Sequence, residues 1–363
     1  MKILYISPEN TVGTLSTWKR FHESNHHHCD FVTFYKTSNN FDSGICLDLP
    51  LISTNYLFRK IRALYYYNKY GKNGEYSVKS GTPPIWTTTK WYEKKFFQWR
   101  DKKWKKIISQ KLQNLNLLSY DIYHFEWGLD FYRDCSFAKQ VSKLNKPIIC
   151  TYNGQDLRTR GVLKSLDSRS KINFSSELDL LSMHPKIEYM FLPYYMPKQP
   201  NYKKTKKTIR ICHSPTNRYY KGSELIIKIC KKIAAQNQNV EFVLIEKMPN
   251  DKVLKLKNTC DILIDQIGDS GGWGYGMNSV ESMALGLCCM TEMNPQCEKF
   301  FTGHPFININ KNNFEKKIID LINSPSLIDE HKQNSINWVM NKHDVNKVGS
   351  FLYQKYDSVL NEK

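Results

Sequence analysis

The chain has 363 residues, of which 40% are hydrophobic and 24% charged, so it can form two α/β domains and does not have the composition of a disordered protein. Its net charge of +19 calls for an acidic partner such as nucleic acid, an anionic membrane or an anionic substrate. No apolar run approaches the roughly 18–20 residues of a membrane span, no signal peptide is evident, and ten cysteines without a CxxC pair favour reduced thiols in a cytoplasmic protein.

The N-terminal residues predict an alternating strand–helix pattern. Lys2–Ser7 is a first buried strand, and a loop containing Gly13 and Thr14 follows it. A helix over Thr17–Glu23 and a second strand over Cys29–Phe34 complete the first unit of this pattern. The order is that of an α/β domain with a parallel sheet.

Residues 57–117 predict an insertion rich in aromatic and basic side chains. It contains Tyr65–Tyr67 and the segment Lys90–Leu112, in which tryptophans and phenylalanines alternate with lysines. In a helix, Phe97, Trp104 and Ile108 share one side. This pattern is typical of a helix in the interface of an anionic bilayer, and equally of a domain helix with inward aromatics and solvated lysines. Single-stranded nucleic acid is disfavoured because no nucleic-acid-binding motif accompanies the segment.

Two further predicted strands end in polar residues. The strand that ends near Trp127 contains His124, and the strand over Lys146–Tyr152 is followed by Asn153, Asp156 and Arg158. Ligands of open α/β sheets bind beyond the carboxyl ends of the strands. These side chains are therefore candidates for chemistry.

Prolines 193, 197 and 200 and a lysine run indicate a linker, after which the strand–helix pattern resumes. The last helices are predicted from about Phe314 to Ser324 and from about Leu327 to Asn361. The predicted elements before them are strand Ile209–His213, helix Ser223–Gln236, strand Val240–Ile245, strand Ile262–Ile264, a glycine loop and a helix that starts at Asn278.

This second half contains two loops suited to an anion. The first offers Arg218 for bidentate phosphate contact and Lys221 as a point charge. The second has glycines at 271, 272, 274 and 276 and leads into a helix N-terminus, where backbone N–H groups and the helix dipole favour a phosphate. Together they predict a phosphate site.

The segments 217–222 and 274–286 resemble the second domain of family 4 glycosyltransferases of the GT-B fold, and the segments 121–124 and 152–158 resemble strand ends of the first. The resemblance implies two Rossmann-like domains that face a central cleft. The domains would be residues 1–197, including the insertion, and residues 198–345. Residues 346–363 would form a terminal helix that packs back on the first domain.

The resemblance also implies roles for residues. Glu281 would bind the donor ribose, and Arg218 and Lys221 the diphosphate, with backbone N–H groups around Gly276. Two positions depart from the family pattern: Trp273 replaces a glutamate near the donor sugar, and Asn153 replaces a histidine. The predicted catalytic residues are His124, Asn153 and Asp156; the donor residues are Arg218, Lys221, Trp273, Tyr275, Gly276, Met277, Asn278 and Glu281; the acceptor or cleft residues are Gly13, Thr14 and Arg158.

The resemblance therefore implies a hexosyltransferase of cell-surface polysaccharide biosynthesis. It would move a sugar, with retention, from a nucleotide-diphosphate sugar to a glycan or lipid-linked acceptor. No Asp-x-Asp occurs, so we expect neither a metal nor a cofactor beyond the donor. The partners would include an anionic membrane at the inner face of the cell membrane through residues 90–112, and no nucleic acid. The alternatives are a sugar-nucleotide epimerase on the same fold and a non-catalytic carbohydrate- or membrane-binding relative.

Overall fold

The computed structural model of the chain describes residues 1–37, 40–52, 60, 81–88, 90–196, 202–268 and 271–361. It divides into two compact units. The first comprises Met1–Met190 together with Leu352–Lys363, and the second comprises Phe191–Phe351. The predicted boundary after residue 197 and the tyrosine triplet Tyr65–Tyr67 lie outside the described residues.

The first unit is built on a seven-stranded parallel sheet with the order β3-β2-β1-β4-β5-β6-β7. Its central strands are buried on both faces, as apolar parallel strands require. The predicted first strand is confirmed with the same bounds. The strands are β1 (Lys2–Ser7), β2 (His28–Thr33), β3 (Ile45–Cys46), β4 (Ile122–Glu126), β5 (Ile148–Tyr152), β6 (Ser170–Ser175) and β7 (Ile187–Tyr189).

Apolar side chains of this sheet and of the surrounding helices form a core that includes Ile6, Trp104 and Phe125. A single 3₁₀ turn spans Thr11–Gly13, and a π-helical turn spans Asp156–Arg160. Among the described residues up to Met190, the helices are α1 (Thr14–Ser24), α2 (Trp91–Lys111), α3 (Ser136–Lys143), α4 (Lys164–Asp167) and α5 (Asp179–Met183).

The second unit has a five-stranded parallel sheet with the order β12-β11-β10-β8-β9 and its own apolar core. Two parallel sheets in separate units confirm the predicted α/β class with two Rossmann-like halves. The strands are β8 (Ile209–His213), β9 (Val240–Leu244), β10 (Ile262–Ile264), β11 (Cys288–Thr291) and β12 (Ile307–Asn308).

The helices between these strands return the chain to the sheet's starting edge, which keeps the strands parallel. They are α6 (Arg218–Lys221), α7 (Ser223–Gln236), α8 (Asn250–Lys257), α9 (Met277–Ala284) and α10 (Pro295–Phe300). After the last strand come α11 (Phe314–Ile322), α12 (Pro325–Lys342) and α13 (Val345–Asn361), and α13 enters the first unit at Leu352.

The prediction of one helix from about Leu327 to Asn361 was wrong. The chain leaves the helical path between α12 and α13, where the backbone N–H of Tyr194 donates to the carbonyl of His343 at 2.7 Å. The backbone N–H of Val345 donates in turn to the Tyr194 carbonyl at 3.0 Å. This pairing with a distant segment replaces helical hydrogen bonds, which no local pattern reveals.

Among the residues that the structure describes, no helix combines the length and the apolar character needed to cross a bilayer.

Candidate functional site

Lys221, at the end of α6, points its ammonium group at the carboxyl end of β10. Its Nζ donates to Asp265 Oδ1 at 2.8 Å and to Gln266 Oε1 at 2.9 Å. The preceding loop is fixed because the side chain of Asn217 caps α6 by accepting from the backbone N–H of Tyr219 at 3.0 Å. The ammonium group of Lys221 is thus held in one place by the two residues that follow β10.

Asp265 joins the two predicted anion loops. In addition to Lys221, Asn278 Nδ2 donates to its Oδ1 at 2.9 Å and the Ser279 hydroxyl donates to its Oδ2 at 2.7 Å. Burial alone would raise the pKa of Asp265, but the charge of Lys221 and these hydrogen bonds outweigh it and hold the pKa below its ordinary value. Asp265 was not among the predicted site residues, although an acidic residue directly after a buried strand is a usable signal. We call Asp265, Lys221, Asn278 and Ser279 the Asp265 cluster.

The N-terminus of α9 begins beside this cluster. Gly276 is its N-cap residue and supplies no capping side chain. Among the described residues, the backbone N–H groups of Met277 and Asn278 have no hydrogen-bond acceptor, as is usual in a first helical turn. A Cβ at Gly276 would meet no heavy atom within 4 Å, so open space lies beside the N-cap residue. The arrangement is suited to an anionic group such as phosphate.

Arg218 is engaged by carboxylates rather than by the Asp265 cluster. Its guanidinium donates to both oxygens of Glu246 at 2.7 Å each and to Glu224 at 3.2 Å. The hydrogen bonds from Arg218 hold the pKa of Glu246 below its ordinary value against the opposing effect of burial. Because the Arg218 side chain is 47% exposed, a phosphate can compete with Glu246 for the same bidentate fork.

Glu281 lies on α9 in a buried ion pair. Lys257 Nζ donates to its Oε2 at 2.9 Å and to the carbonyl of Asn278 at 3.2 Å, and Asn250 Nδ2 donates to its Oε1 at 3.1 Å. Lys257 is 1% exposed. Each carboxylate oxygen can accept a further hydrogen bond, but the residue also neutralises a buried charge.

Trp273 is half-buried in the glycine loop, and the peptide groups on either side of it are fixed. Gln266 Nε2 donates to the Gly272 carbonyl at 3.0 Å, and the Thr291 hydroxyl donates to the Gly274 carbonyl at 2.9 Å. The indole is therefore held on a well-anchored turn.

Tyr275, two residues further on, is buried in the second unit. His343 Nδ1–H donates to the carbonyl of Leu192 at 2.8 Å, so its Nε2 accepts from the Tyr275 hydroxyl at 2.9 Å. Burial lowers the pKa of His343 to about 4, which keeps the imidazole neutral in this pairing. Tyr275 therefore anchors the loop, because its hydroxyl is bonded to His343. Its contact with the donor stays a prediction.

In the first unit, Asn153 and Asp156 come together with Glu126 at the carboxyl ends of β4 and β5. Asn153 Nδ2 donates to Glu126 Oε2 at 3.3 Å. Asp156 accepts from the backbone N–H groups of Asn153 at 2.8 Å and Leu157 at 2.7 Å, which shapes the turn after β5. Burial raises the pKa of Asp156. Glu126 was not among the predicted site residues.

His124 lies within β4, away from the turn that carries Asn153. Its Nε2 is 2.5 Å from the hydroxyl of Tyr356, and its ring stacks on Tyr5 at 4.4 Å between centroids. Burial holds its pKa well below the ordinary value. His124 therefore lies in the interior of the first unit, against the side chains of Tyr5 and Tyr356.

The predicted acceptor-side residues occupy different places. Thr14 begins α1, and Gly13 precedes it with φ of 77°, a conformation that favours glycine. Arg158 donates to Asp179 and to Glu177, each at 2.6 Å. Its charge is therefore balanced by acidic neighbours around α5, while Gly13 and Thr14 line the turn after β1.

Neither a protein-family model nor a curated protein sequence matches the chain. Solved structures do resemble it. Sucrose-phosphate synthase from Thermosynechococcus elongatus has a TM-score of 0.60 at 10% identity, with all of both chains covered. HepE from Anabaena, in complex with UDP and glucose, has a TM-score of 0.59 at 11% identity, with 99% of this chain and 100% of that chain covered. A putative UDP-N-acetylglucosamine 2-epimerase from Listeria monocytogenes has a TM-score of 0.54 at 10% identity, with 100% and 97% covered.

Structural neighbours of this kind, at 10–11% identity, show the fold alone. The narrower resemblance to family 4 stays a prediction. With its two parallel-sheet units, the chain has the fold of the GT-B glycosyltransferases.

Proposed function

We propose that the protein is a glycosyltransferase that moves a hexose from a nucleotide-diphosphate sugar to a glycan or lipid-linked acceptor. The observation that carries the proposal is the Asp265 cluster, which fixes Lys221 next to the uncapped N-terminus of α9. A fixed cation and a helix N-terminus are the two elements that bind a diphosphate without a metal. The complex of HepE with UDP and glucose, on the same fold, supports the choice of ligand.

The roles of the chain's own residues follow from this placement. As the bond between the sugar and the diphosphate breaks, negative charge grows on the leaving phosphate. Lys221, the N–H groups of Met277 and Asn278, and Arg218 after release from Glu246 would stabilise that charge. Glu281 would bind the ribose with its remaining acceptor positions, and Trp273 would pack against a sugar face. Retention at the anomeric carbon is part of the proposal and rests on the family resemblance.

A ligand panel tests the donor site. Thermal shifts are measured with UDP, GDP, ADP and their glucose conjugates, followed by titration calorimetry on the best ligand. Lys221→Ala and Arg218→Ala should each weaken binding by about 1.5–3 kcal/mol, the worth of a charge-assisted hydrogen bond. The exposed Lys231, changed to Ala, is the matched control and should bind as the wild type does. Unchanged affinity in both site variants contradicts the diphosphate assignment.

An epimerase on this fold is the alternative that the Listeria structure favours. It would convert a nucleotide sugar with no acceptor present. Incubation with UDP-N-acetylglucosamine alone, followed by chromatography of the sugar nucleotides, separates the two activities. A new sugar nucleotide supports the epimerase, whereas donor binding without turnover under any acceptor supports a non-catalytic relative.

We further propose that α2 places the enzyme at an anionic membrane surface. Trp91, Tyr92 and Trp99 are 78%, 50% and 53% exposed, which is unusual for large aromatic side chains. The same helix exposes many lysines, among them Lys102 and Lys103. Exposed aromatics beside lysines suit the headgroup region of a bilayer. Trp104 and Ile108 pack into the core, so part of the inward-packing interpretation also holds.

Flotation with liposomes tests this surface. Binding to vesicles with 30% phosphatidylglycerol should be lost when Lys102, Lys103, Lys105 and Lys106 become Glu, because each lysine near an anionic surface contributes about 1 kcal/mol. The control changes Lys228, Lys231, Lys252 and Lys255 to Glu, four exposed lysines of the second unit that alter the net charge equally. Equal flotation of the two variants would show that α2 is not the binding surface.

A further inference from the structure

Glu126 is a buried carboxyl group at the end of a central strand of the first unit. It is the last residue of β4, lies opposite Thr151 of β5 in the ladder, and is 7% exposed. Asn153 Nδ2 donates to its Oε2 at 3.3 Å, and the Thr151 hydroxyl also lies against the carboxyl. Among the described residues, no lysine, arginine or histidine forms an ion pair with it.

Burying a carboxyl group without a cation is costly, so we expect such a group to serve a function that offsets the cost. Burial raises the pKa of Glu126 to about 7, although the hydrogen bonds of Asn153 and Thr151 oppose the shift. Perturbed carboxyl groups of this kind concentrate at functional sites.

Asp130 offers a comparison in the same unit. Burial raises its pKa to about 7 as well. Its oxygens, however, accept from the backbone N–H groups of Tyr132 at 3.1 Å and Ala138 at 2.7 Å. Asp130 therefore has a structural use, since it fixes the turn into α3. Glu126 receives no backbone N–H donor among the described residues, so no such use explains it.

The surroundings of Glu126 match the chemistry of a sugar hydroxyl. Glu126 supplies acceptor oxygens and Asn153 supplies an amide, so the two together can both accept from and donate to neighbouring hydroxyls. The backbone of Asn153 is held by Asp156 at 2.8 Å, which fixes the amide in position. Trp127, the next residue after Glu126, is half-buried. Its indole N–H donates to the Thr11 hydroxyl at 3.1 Å. Aromatic faces near paired polar groups suit pyranose rings.

We propose that Glu126 and Asn153 bind a hydroxyl group of the acceptor sugar, with Glu126 as the hydrogen-bond acceptor. The inference rests on the proposed function and assigns the acceptor side of that reaction. It names a neutral sugar as the class of group recognised in the first unit, because the carboxylate would repel a phosphate and no cation within the described part of the chain pairs with it.

Sugar binding to the full chain tests the pair. The probes are the methyl glycosides of glucose, galactose, mannose and N-acetylglucosamine, observed by saturation-transfer NMR with UDP present. At least one should bind the wild type, and Glu126→Ala and Asn153→Ala should each weaken it about 10- to 100-fold. Glu188→Gln, which changes an exposed carboxylate of the same unit, should leave sugar binding unchanged.

The pH dependence distinguishes binding from a merely structural role. Binding by the wild type should weaken as the pH falls through about 7, because protonation of Glu126 removes an acceptor. Glu126→Gln should bind weakly and equally across that range. A pH profile shared by both proteins, undiminished binding in both alanine variants, or no sugar bound by the wild type would overturn the proposal.

The donor site is tested separately from the sugar site. The affinity for UDP, measured by calorimetry, should be the same in Glu126→Ala as in the wild type. If UDP fails to bind while the sugars bind and depend on Glu126, the donor assignment is wrong and the sugar site stands. If UDP binds and sugar binding is insensitive to substitution of Glu126, the donor site stands and the assignment of Glu126 is wrong.

Discussion

Two lysines of the second unit form ion pairs of different kinds. Lys221 is 18% exposed beside Asp265, at the edge of the sheet, and can add a phosphate to its contacts. Lys257 is 1% exposed and is enclosed with Glu281. A buried charge without its partner is costly, so Lys257 and Glu281 must be kept or lost together. Weaker ligand binding after Glu281→Ala would therefore combine the loss of the proposed ribose contact with the destabilisation caused by an unpaired Lys257.

A double-mutant cycle measures the contribution of the Lys257–Glu281 ion pair to stability. Lys257→Met should lower the free energy of unfolding by about 3–5 kcal/mol because it leaves the Glu281 carboxylate buried and unpaired. Adding Glu281→Gln should recover most of that loss. Urea unfolding of the two single variants and the double variant gives the coupling. Additive effects, with coupling below about 0.5 kcal/mol, would contradict a direct pair.

The residues that the sequence analysis missed, Asp265 and Glu126, share a property. Each is an acidic residue at the carboxyl end of a buried strand, where the sheet places ligand groups. Neither belongs to a recognisable motif. Their importance comes from partners far along the chain, Lys221 for the first and Asn153 for the second.

At the scale of elements, α2 presents two sets of aromatic side chains to different surroundings. Trp104 is 3% exposed, and its indole N–H donates to the Pro50 carbonyl at 2.8 Å. The guanidinium of Arg100 lies 3.9 Å from the Trp104 ring centroid and is itself buried. Trp99, by contrast, is exposed. The helical pattern correctly placed Trp104 and Ile108 on one side, but it could not tell which other aromatics remain in solvent.

Substitution of the two tryptophans should show this difference. Trp104→Ala should reduce stability by about 3–5 kcal/mol because it leaves a cavity in the core. Trp99→Ala should change stability by less than about 0.5 kcal/mol, since it removes an exposed side chain. Chemical denaturation followed by circular dichroism measures both. Similar losses in the two variants would mean that Trp99 also packs against the core.

At the scale of the molecule, the C-terminal residues complete the first unit. A buried chain of hydrogen bonds runs from His124 to Tyr356 and Tyr5 at 3.1 Å, then to His22 at 3.0 Å and to Tyr353 at 3.0 Å. Two of its members lie on α13, and the others lie on β1, β4 and α1. The segments that begin and end the chain are thus joined in one polar core, in which burial keeps both histidines neutral.

This neutral core should make the protein sensitive to acid. Burial lowers the pKa of His22 to about 3, whereas an unfolded histidine titrates near 6.5. Between these values the unfolded state binds more protons, so stability falls as the pH drops from about 6.5, by up to about 1.4 kcal/mol per pH unit from this residue. At higher pH both states are neutral and the effect disappears.

The His22→Gln variant isolates that contribution. At pH 7 it should be less stable than the wild type because it disturbs the hydrogen bonds to Tyr5 and Tyr353. The difference should narrow as the pH falls towards 4, as measured by urea midpoints across the range. A difference that stays constant with pH would mean that His22 does not titrate in the unfolding reaction.

The α/β class, the two sheet-building halves and most strands could be predicted from the residues alone, because buried parallel strands are apolar runs bounded by polar or glycine-rich loops. The sequence also located Lys221 and the start of α9, whose roles depend on short-range spacing. The partners of the site residues became known from the folded chain: Asp265 for Lys221, Lys257 for Glu281, Glu246 for Arg218, and Tyr356 for His124. Strands are specified by local periodicity, whereas ion pairs and hydrogen bonds join residues that meet only after the sheet has formed.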